Sequence, residues 1–229
     1  RPYAGWTYLS AALHSQNFKL LNTLELSIGI VGPASLAEET QKIVHEWINS
    51  DEPQGWDNQL SNEPGLMLTW QRFWRVLRQP LGKGFAYDVI SHGGITLGNV
   101  FTYANLGGEI RFGFNLPADF GTSLIRPGGG TSSPVSVGDP RLDSFSKFGF
   151  SLFMGVDGRA VARNIFLDGN TGQDSHSVDK NYFVADITSG FSVVYKPIKL
   201  TYTHVYRTEE FKDQDGGQFF GSVSISFTF

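Results

Sequence analysis

From Phe18 to Ile30 the apolar residues hold the even positions: Phe18, Leu20, Leu24, Leu26, Ile28 and Ile30 alternate with Lys19, Thr23, Glu25, Ser27 and Gly29. Successive side chains of an extended chain point to opposite faces, so this stretch predicts a strand with one greasy and one polar side. The segment from Phe148 repeats it. Phe148, Phe150, Leu152, Met154 and Val156 share one face, with Ser151, Asp157, Arg159 and Arg163 on the other. Further alternating segments begin near Gly5, Leu66, Phe85, Val100, Phe183, Ile198 and Phe219, which makes roughly nine strands. The last runs Phe219, Gly221, Val223, Ile225, Phe227, Phe229, with Ser222, Ser224, Ser226 and Thr228 opposite.

These segments are as long as a tilted strand that crosses a bilayer, about 9–11 residues. A soluble sandwich also alternates, but it covers its greasy face with a second layer. Here the charges sit on the other face of many long strands, and no helical layer is available to cover the first. The pattern predicts an all-β fold, a transmembrane antiparallel up-and-down β-barrel. A terminal alternating strand capped by Phe229 resembles the C-terminal signal of outer-membrane barrels.

Such barrels join strands by short turns on the periplasmic side and longer loops outside. Tyr195-Lys196-Pro197-Ile198 reads as a tight turn, and so does His14 to Asn17. Counting back from a periplasmic C-terminus puts Asp168–Lys180, Arg207–Gly217 and the insert between Ile30 and Leu66 outside. The Gly- and Pro-rich stretch Pro117–Asp143 then falls on the periplasmic side, either as an unusually long connection or because a strand between Phe85 and Leu116 is miscounted. Bacterial barrels have even strand numbers, so nine implies that strands precede Arg1.

Between Gly32 and Asp51 the period changes to that of a helix. Ser35 followed by Glu38 fits a capping box, a reading preferred over Ser35 as a nucleophile. Ile43, Val44, Trp47 and Ile48 form an apolar stripe, and Pro53 ends the element. Gln41 and His45, four residues apart, share a helical face at the edge of that stripe, where an imidazole could be a general base held against a barrel wall. On these residues alone a solvent-exposed loop histidine is the simpler reading. His92 falls on an inward face as a lumen hydrogen-bonding residue, His204 outward between Tyr202 and Tyr206, His14 at a turn and His176 in a loop. None has the spacing of a metal trio.

Composition changes this picture little. With 229 residues, a formal charge of −4 and no cysteine, the chain has no basic footprint for nucleic acid, no disulfide and no thiolate chemistry. No run approaches the roughly 18 apolar residues of a spanning helix. The inward Glu25, Asp88, Glu109, Arg111, Asp157, Arg159, Arg163 and Asp186 predict a lumen salt-bridge network that fills the pore, which argues against a general porin.

Several segments carry a more specific likeness. Arg1-Pro2-Tyr3-Ala4-Gly5-Trp6, Val31-Gly32-Pro33-Ala34-Ser35, Pro53-Gln54-Gly55-Trp56-Asp57-Asn58-Gln59-Leu60, Asn62-Glu63-Pro64 and Asp174-Ser175-His176-Ser177-Val178-Asp179-Lys180 resemble the outer-membrane lipid A deacylase family of the LpxR type, over essentially the whole chain. The resemblance implies a barrel of twelve strands in the Gram-negative outer membrane, monomeric, with its active site facing the outer leaflet. It also implies removal of the 3′-linked acyloxyacyl chain from lipid A of lipopolysaccharide, with calcium.

On this likeness, residues 1–229 are one barrel domain lacking its N-terminal strands, and residues 35–50 are the extracellular-loop helix. His45 matches the catalytic histidine, with Gln41 and Asp51 as supporting polar positions, although a Glu is expected where Asp51 stands. The family's Asn-Asp pair, which serves the metal and oxyanion site, precedes the Arg-Pro-Tyr-Ala-Gly motif. The metal ligands are therefore expected upstream of Arg1, and the chain alone would lack half the site. The alternative is a non-catalytic structural, adhesive or narrow transport barrel. An outer-membrane phospholipase ranks last, because no strand-borne Ser–His pair stands out.

Overall fold

In the computed structural model, residues 2–51, 53–127, 130, 132–136, 138–142 and 147–228 are described. The expectations for Arg1, Asp143 and the terminal Phe229 fall outside them.

Nine strands form one antiparallel meander in chain order: β1 Trp6–Gln16, β2 Leu20–Val31, β3 Glu63–Gly82, β4 Phe85–Gly98, β5 Phe101–Phe114, β6 Phe148–Asn164, β7 Phe183–Tyr195, β8 Ile198–Arg207 and β9 Gln218–Phe227. Every predicted strand is present. Among the described residues β1 and β9 do not pair with each other, so the sheet is a half-barrel with two edges. The outward residues form lateral rows. Leu24, Trp70, Ile95, Ala104, Ala160 and Phe183 lie side by side from β2 to β7. Leu24, Leu26, Ile28, Leu66, Leu68, Leu152 and Met154 are all exposed, as a lipid-facing band requires. Phe85 stacks on Phe112 at one end of the barrel, and Tyr206 packs on Phe219 at the other, so aromatic rings mark both rims.

Inward rows are polar and buried. His92, Gly107, Asp157, Asp186 and Arg207 are successive neighbours from β4 to β8. Gly107 is what lets the first two meet. A Cβ there would stand 2.6 Å from His92 Nε2, the atom that lies 2.8 Å from Asp157 Oδ1. Asn105 Nδ2 also donates to Asp157, and Arg207 forms a fork on Asp186. The lumen network inferred from the inward charges is present, except that Arg163 lies at the rim, where it donates to the carbonyls of Asn99 and Gly169.

Among the described residues the long stretch after Leu116 is a connection and holds no extra strand. β4 and β5 are joined through Asn99 and Val100, and the link from β5 to β6 folds back into the lumen. Leu116, Ala118 and Phe120 are buried, Phe120 against Leu21 and Ile90. Its anchor is Asp119, which accepts from Arg111 Nη1 at 2.6 Å, Lys199 Nζ at 2.7 Å and Arg141 Nη2 at 2.9 Å. Asp139 receives the other edge of Arg141 and the main-chain N–H of Ala118. The segment is a plug that enters at the rim of the tight turns, and Arg126 farther along pairs with Glu25 of β2.

One turn is shifted from expectation. β1 runs on to Gln16, so His14 lies within the strand with Nδ1 2.9 Å from Thr23 Oγ1, and Asn17 caps the reversal by accepting from the N–H groups of Lys19 and Leu20. The Asn side chain sets this turn, and the cross-strand Thr holds His14 in register.

Candidate active site

The insert between β2 and β3 carries α1, Ala37–Trp47, over the loop end of β1. It differs from expectation at both ends. Pro33–Ser35 form a 3₁₀ turn, and Leu36 follows in the left-handed region at φ 57°, so the helix starts two residues after Ser35. No side chain caps it, and the capping box of Ser35 and Glu38 does not form. Ser35 is instead buried toward the barrel: its carbonyl accepts from Thr7 Oγ1, and its Oγ lies 2.5 Å from where a Cβ of Gly5 would stand. The helix ends at Trp47, with Asn49 at positive φ, well before Pro53.

The apolar stripe does not hold α1 to the barrel. Ile43, Val44 and Ile48 are exposed, and Trp47 is 81% exposed. The contacts lie on the polar edge. Gly5 lets β1 approach Ala37 so closely that an added Cβ would fall 2.0 Å from the Ala37 Cβ. The segment after the helix returns beneath it, with Gln59 donating to Glu38 and Trp56 Nε1 donating to Gln41 Oε1 at 3.0 Å. Trp56 is buried, packed edge-on against Tyr3 at 5.2 Å between ring centres. Asn62 accepts from the N–H of Ala34, and Leu60 joins Val31, Val100 and Ile165 in a small apolar core that fixes the base of the insert.

These contacts bring Gln41, His45 and Asp51 together. His45 Nδ1 lies 2.6 Å from the main-chain oxygen of Asp51, and its Nε2 lies 3.5 Å from Gln41 Nε2. A carbonyl oxygen only accepts, so Nδ1 carries the proton and Nε2 is left with its lone pair, the form a general base needs. Asp51 therefore acts on His45 through its backbone and not through its carboxylate. Both Gln41 and His45 are half-buried.

Beside Gln41 is a cavity of about 850 Å³ at the lumen mouth, lined also by Tyr3, Trp56, Tyr103, Arg126 and Arg159, while His45 and Asp51 are not among its lining residues. Arg126 comes from the plug, so the site has a floor that local sequence reading did not reveal. Trp56 was visible only inside a motif, with nothing in its spacing to link it to Gln41. His14, His92, His176 and His204 are not in contact with this cluster. Among the described residues no three acidic, His or Cys side chains converge as metal ligands.

A family model described as "Outer membrane protein LpxR" matches residues 1–229. Among solved structures, LpxR from Salmonella typhimurium shares the fold with a TM-score of 0.82 at 21% sequence identity, over 100% of this chain and 74% of that one. No curated protein matches.

Proposed function

Since the chain belongs to the LpxR family of outer-membrane lipid A deacylases, we propose that it hydrolyses the ester of the 3′-linked acyloxyacyl chain of lipid A, with His45 as general base. The observation that carries this reading is the His45 ring, tied at Nδ1 to the Asp51 carbonyl and presenting Nε2 beside Gln41. A water that takes the place of the long 3.5 Å Gln41 contact gives its proton to Nε2 while its oxygen attacks the ester carbonyl carbon. The tetrahedral intermediate then expels the sugar alkoxide, which recovers the proton from the imidazolium. The products are a sugar hydroxyl and a free fatty acid. Gln41 has a second amide N–H beside the one that faces Nε2, available to donate to the ester carbonyl oxygen as negative charge grows there.

The family resemblance also implies calcium, which as a bound cation would stabilise the oxyanion. The described residues do not fit that ion, because no set of carboxylates converges near His45. The second reading is a barrel that keeps the family's shape without its chemistry. Within the enzyme reading, α1 faces the outer leaflet. The opposite rim carries the tight turns at Asn17, Lys83 and Pro197, and the long connection there is stowed in the lumen, as expected of a periplasmic side.

The test is the mass of lipid A extracted from cells expressing the chain. Loss of the acyloxyacyl mass with wild type and its retention with His45→Ala supports the enzyme. Full-mass lipid A from cells with a folded wild-type barrel supports the non-catalytic reading.

A further inference from the structure

A one-way chain of hydrogen bonds passes through the site. The Trp56 indole N–H can only donate, so the end of the Gln41 amide that it meets at 3.0 Å must be the oxygen. That leaves the Gln41 –NH₂ toward His45. An –NH₂ also can only donate, so the imidazole nitrogen it faces must be an acceptor. On the far side of the ring the Asp51 carbonyl, which can only accept, demands a proton on Nδ1. The two ends of the chain require the same ring tautomer.

We infer that Trp56 is a positioning residue. Its indole bonds to Gln41 and not to His45, but by fixing which end of the Gln41 amide faces inward it keeps the resting Nε2 free of a proton. Without the indole donor nothing prevents the amide from flipping. Its oxygen would then face Nε2 and favour the tautomer or charge state in which that nitrogen bears a proton and cannot act as a base. The packing suits the role, since Trp56 is buried and braced against Tyr3, and the preceding Gly55 adopts φ 109°, a conformation that brings the indole under the helix. The role in turnover rests on the deacylase reading. The tautomer argument does not.

The experiment uses the full chain in detergent with ¹⁵N-labelled histidine, the His45 signal being assigned by its loss in His45→Ala. Wild type is expected to show Nδ1–H alone. Trp56→Phe keeps the buried ring and removes the donor, so a fraction of Nε2–H should appear. kcat on lipid A should drop roughly three- to tenfold, the size of one lost hydrogen bond, with KM nearly unchanged. Gln41→Ala with Trp56→Phe should be no slower than Gln41→Ala alone, because the second change acts only through the first. If Trp56→Phe does not fold, Gln41→Glu decides, since its second oxygen cannot donate and must drive Nε2 to the protonated form. A wild-type tautomer in either variant, or rate losses that simply add, overturns the inference. A wild type that leaves lipid A intact sinks the deacylase reading, and the ring signals still decide the tautomer.

Discussion

Replacing Asp119 by Asn should release the plug while leaving the barrel standing. The carboxylate meets three buried cations, Arg111, Lys199 and Arg141, between 2.6 and 2.9 Å. Two of them keep another acid, Arg111 at Asp88 and Arg141 at Asp139. Lys199 has Asp119 as its one ion-pair partner among the described residues, so the variant strands chiefly that ammonium. Removing one member of a buried pair costs about 3–5 kcal/mol. Since two of the three cations stay neutralised, the lower figure applies, about 3 kcal/mol. If the plug opens and recloses faster than it is cut, that change raises its open population, and with it the cleavage rate, roughly a hundredfold. The assay is proteinase K digestion in detergent, following cuts within residues 117–142 by mass and strand integrity by the heat-shifted gel band of a folded barrel. Lys199→Met added to Asp119→Asn should restore part of the resistance by removing the stranded charge. Equal cleavage of wild type and Asp119→Asn would refute the reasoning, as would simultaneous loss of the strands.

Asp51→Asn should retain lipid A deacylation within about twofold, because the contact to His45 comes from the main-chain oxygen; a loss as deep as that of His45→Ala would give the carboxylate a role. Gly5→Ala forces a methyl into Ala37 and Ser35 Oγ, an overpacking of about 1–3 kcal/mol, and should lower activity while the barrel stays folded, with Ala37→Gly relieving only part of it. The plug's acid response follows from Asp119, which lies on the connection and not on a strand. Burial alone raises its carboxyl, but Lys199, Arg111 and Arg141 outweigh that and hold it well below the usual carboxylate range. A depressed folded value means that its stabilisation is present above the unfolded value of about 3.9 and is lost only as pH falls through the folded one. The plug should therefore resist pepsin at about pH 4 and open in stronger acid. Opening already at about pH 5 would contradict this assignment.

The strands were legible because a barrel sorts its side chains by a rule local to each strand. In Phe18–Ile30 and Phe148–Val156, lipid on one side and a polar lumen on the other leave a period of two in the residues themselves. Gln41 and His45 were legible for a similar reason, since a spacing of four fixes a shared helical face. The plug was not, because Asp119 gains its meaning from cations on β5, on β8 and farther along its own connection, and no window of sequence contains them. Ser35 shows the opposite failure. Its capping-box spacing is good, but the left-handed Leu36 and the close approach at Gly5 turn it into the barrel wall. His14 was assigned to a turn that Asn17 sets instead. Asp51 was found for its side chain and contributes its backbone.

With the returning connection locked between Asp119 at one level and Arg126 against Glu25 at another, it braces the inner face of the sheet as a strut. Fixed charge pairs and packed rings fill space against that face that a bare sheet would leave to water. The polar lining then serves to hold the wall's shape beneath the candidate site at its rim.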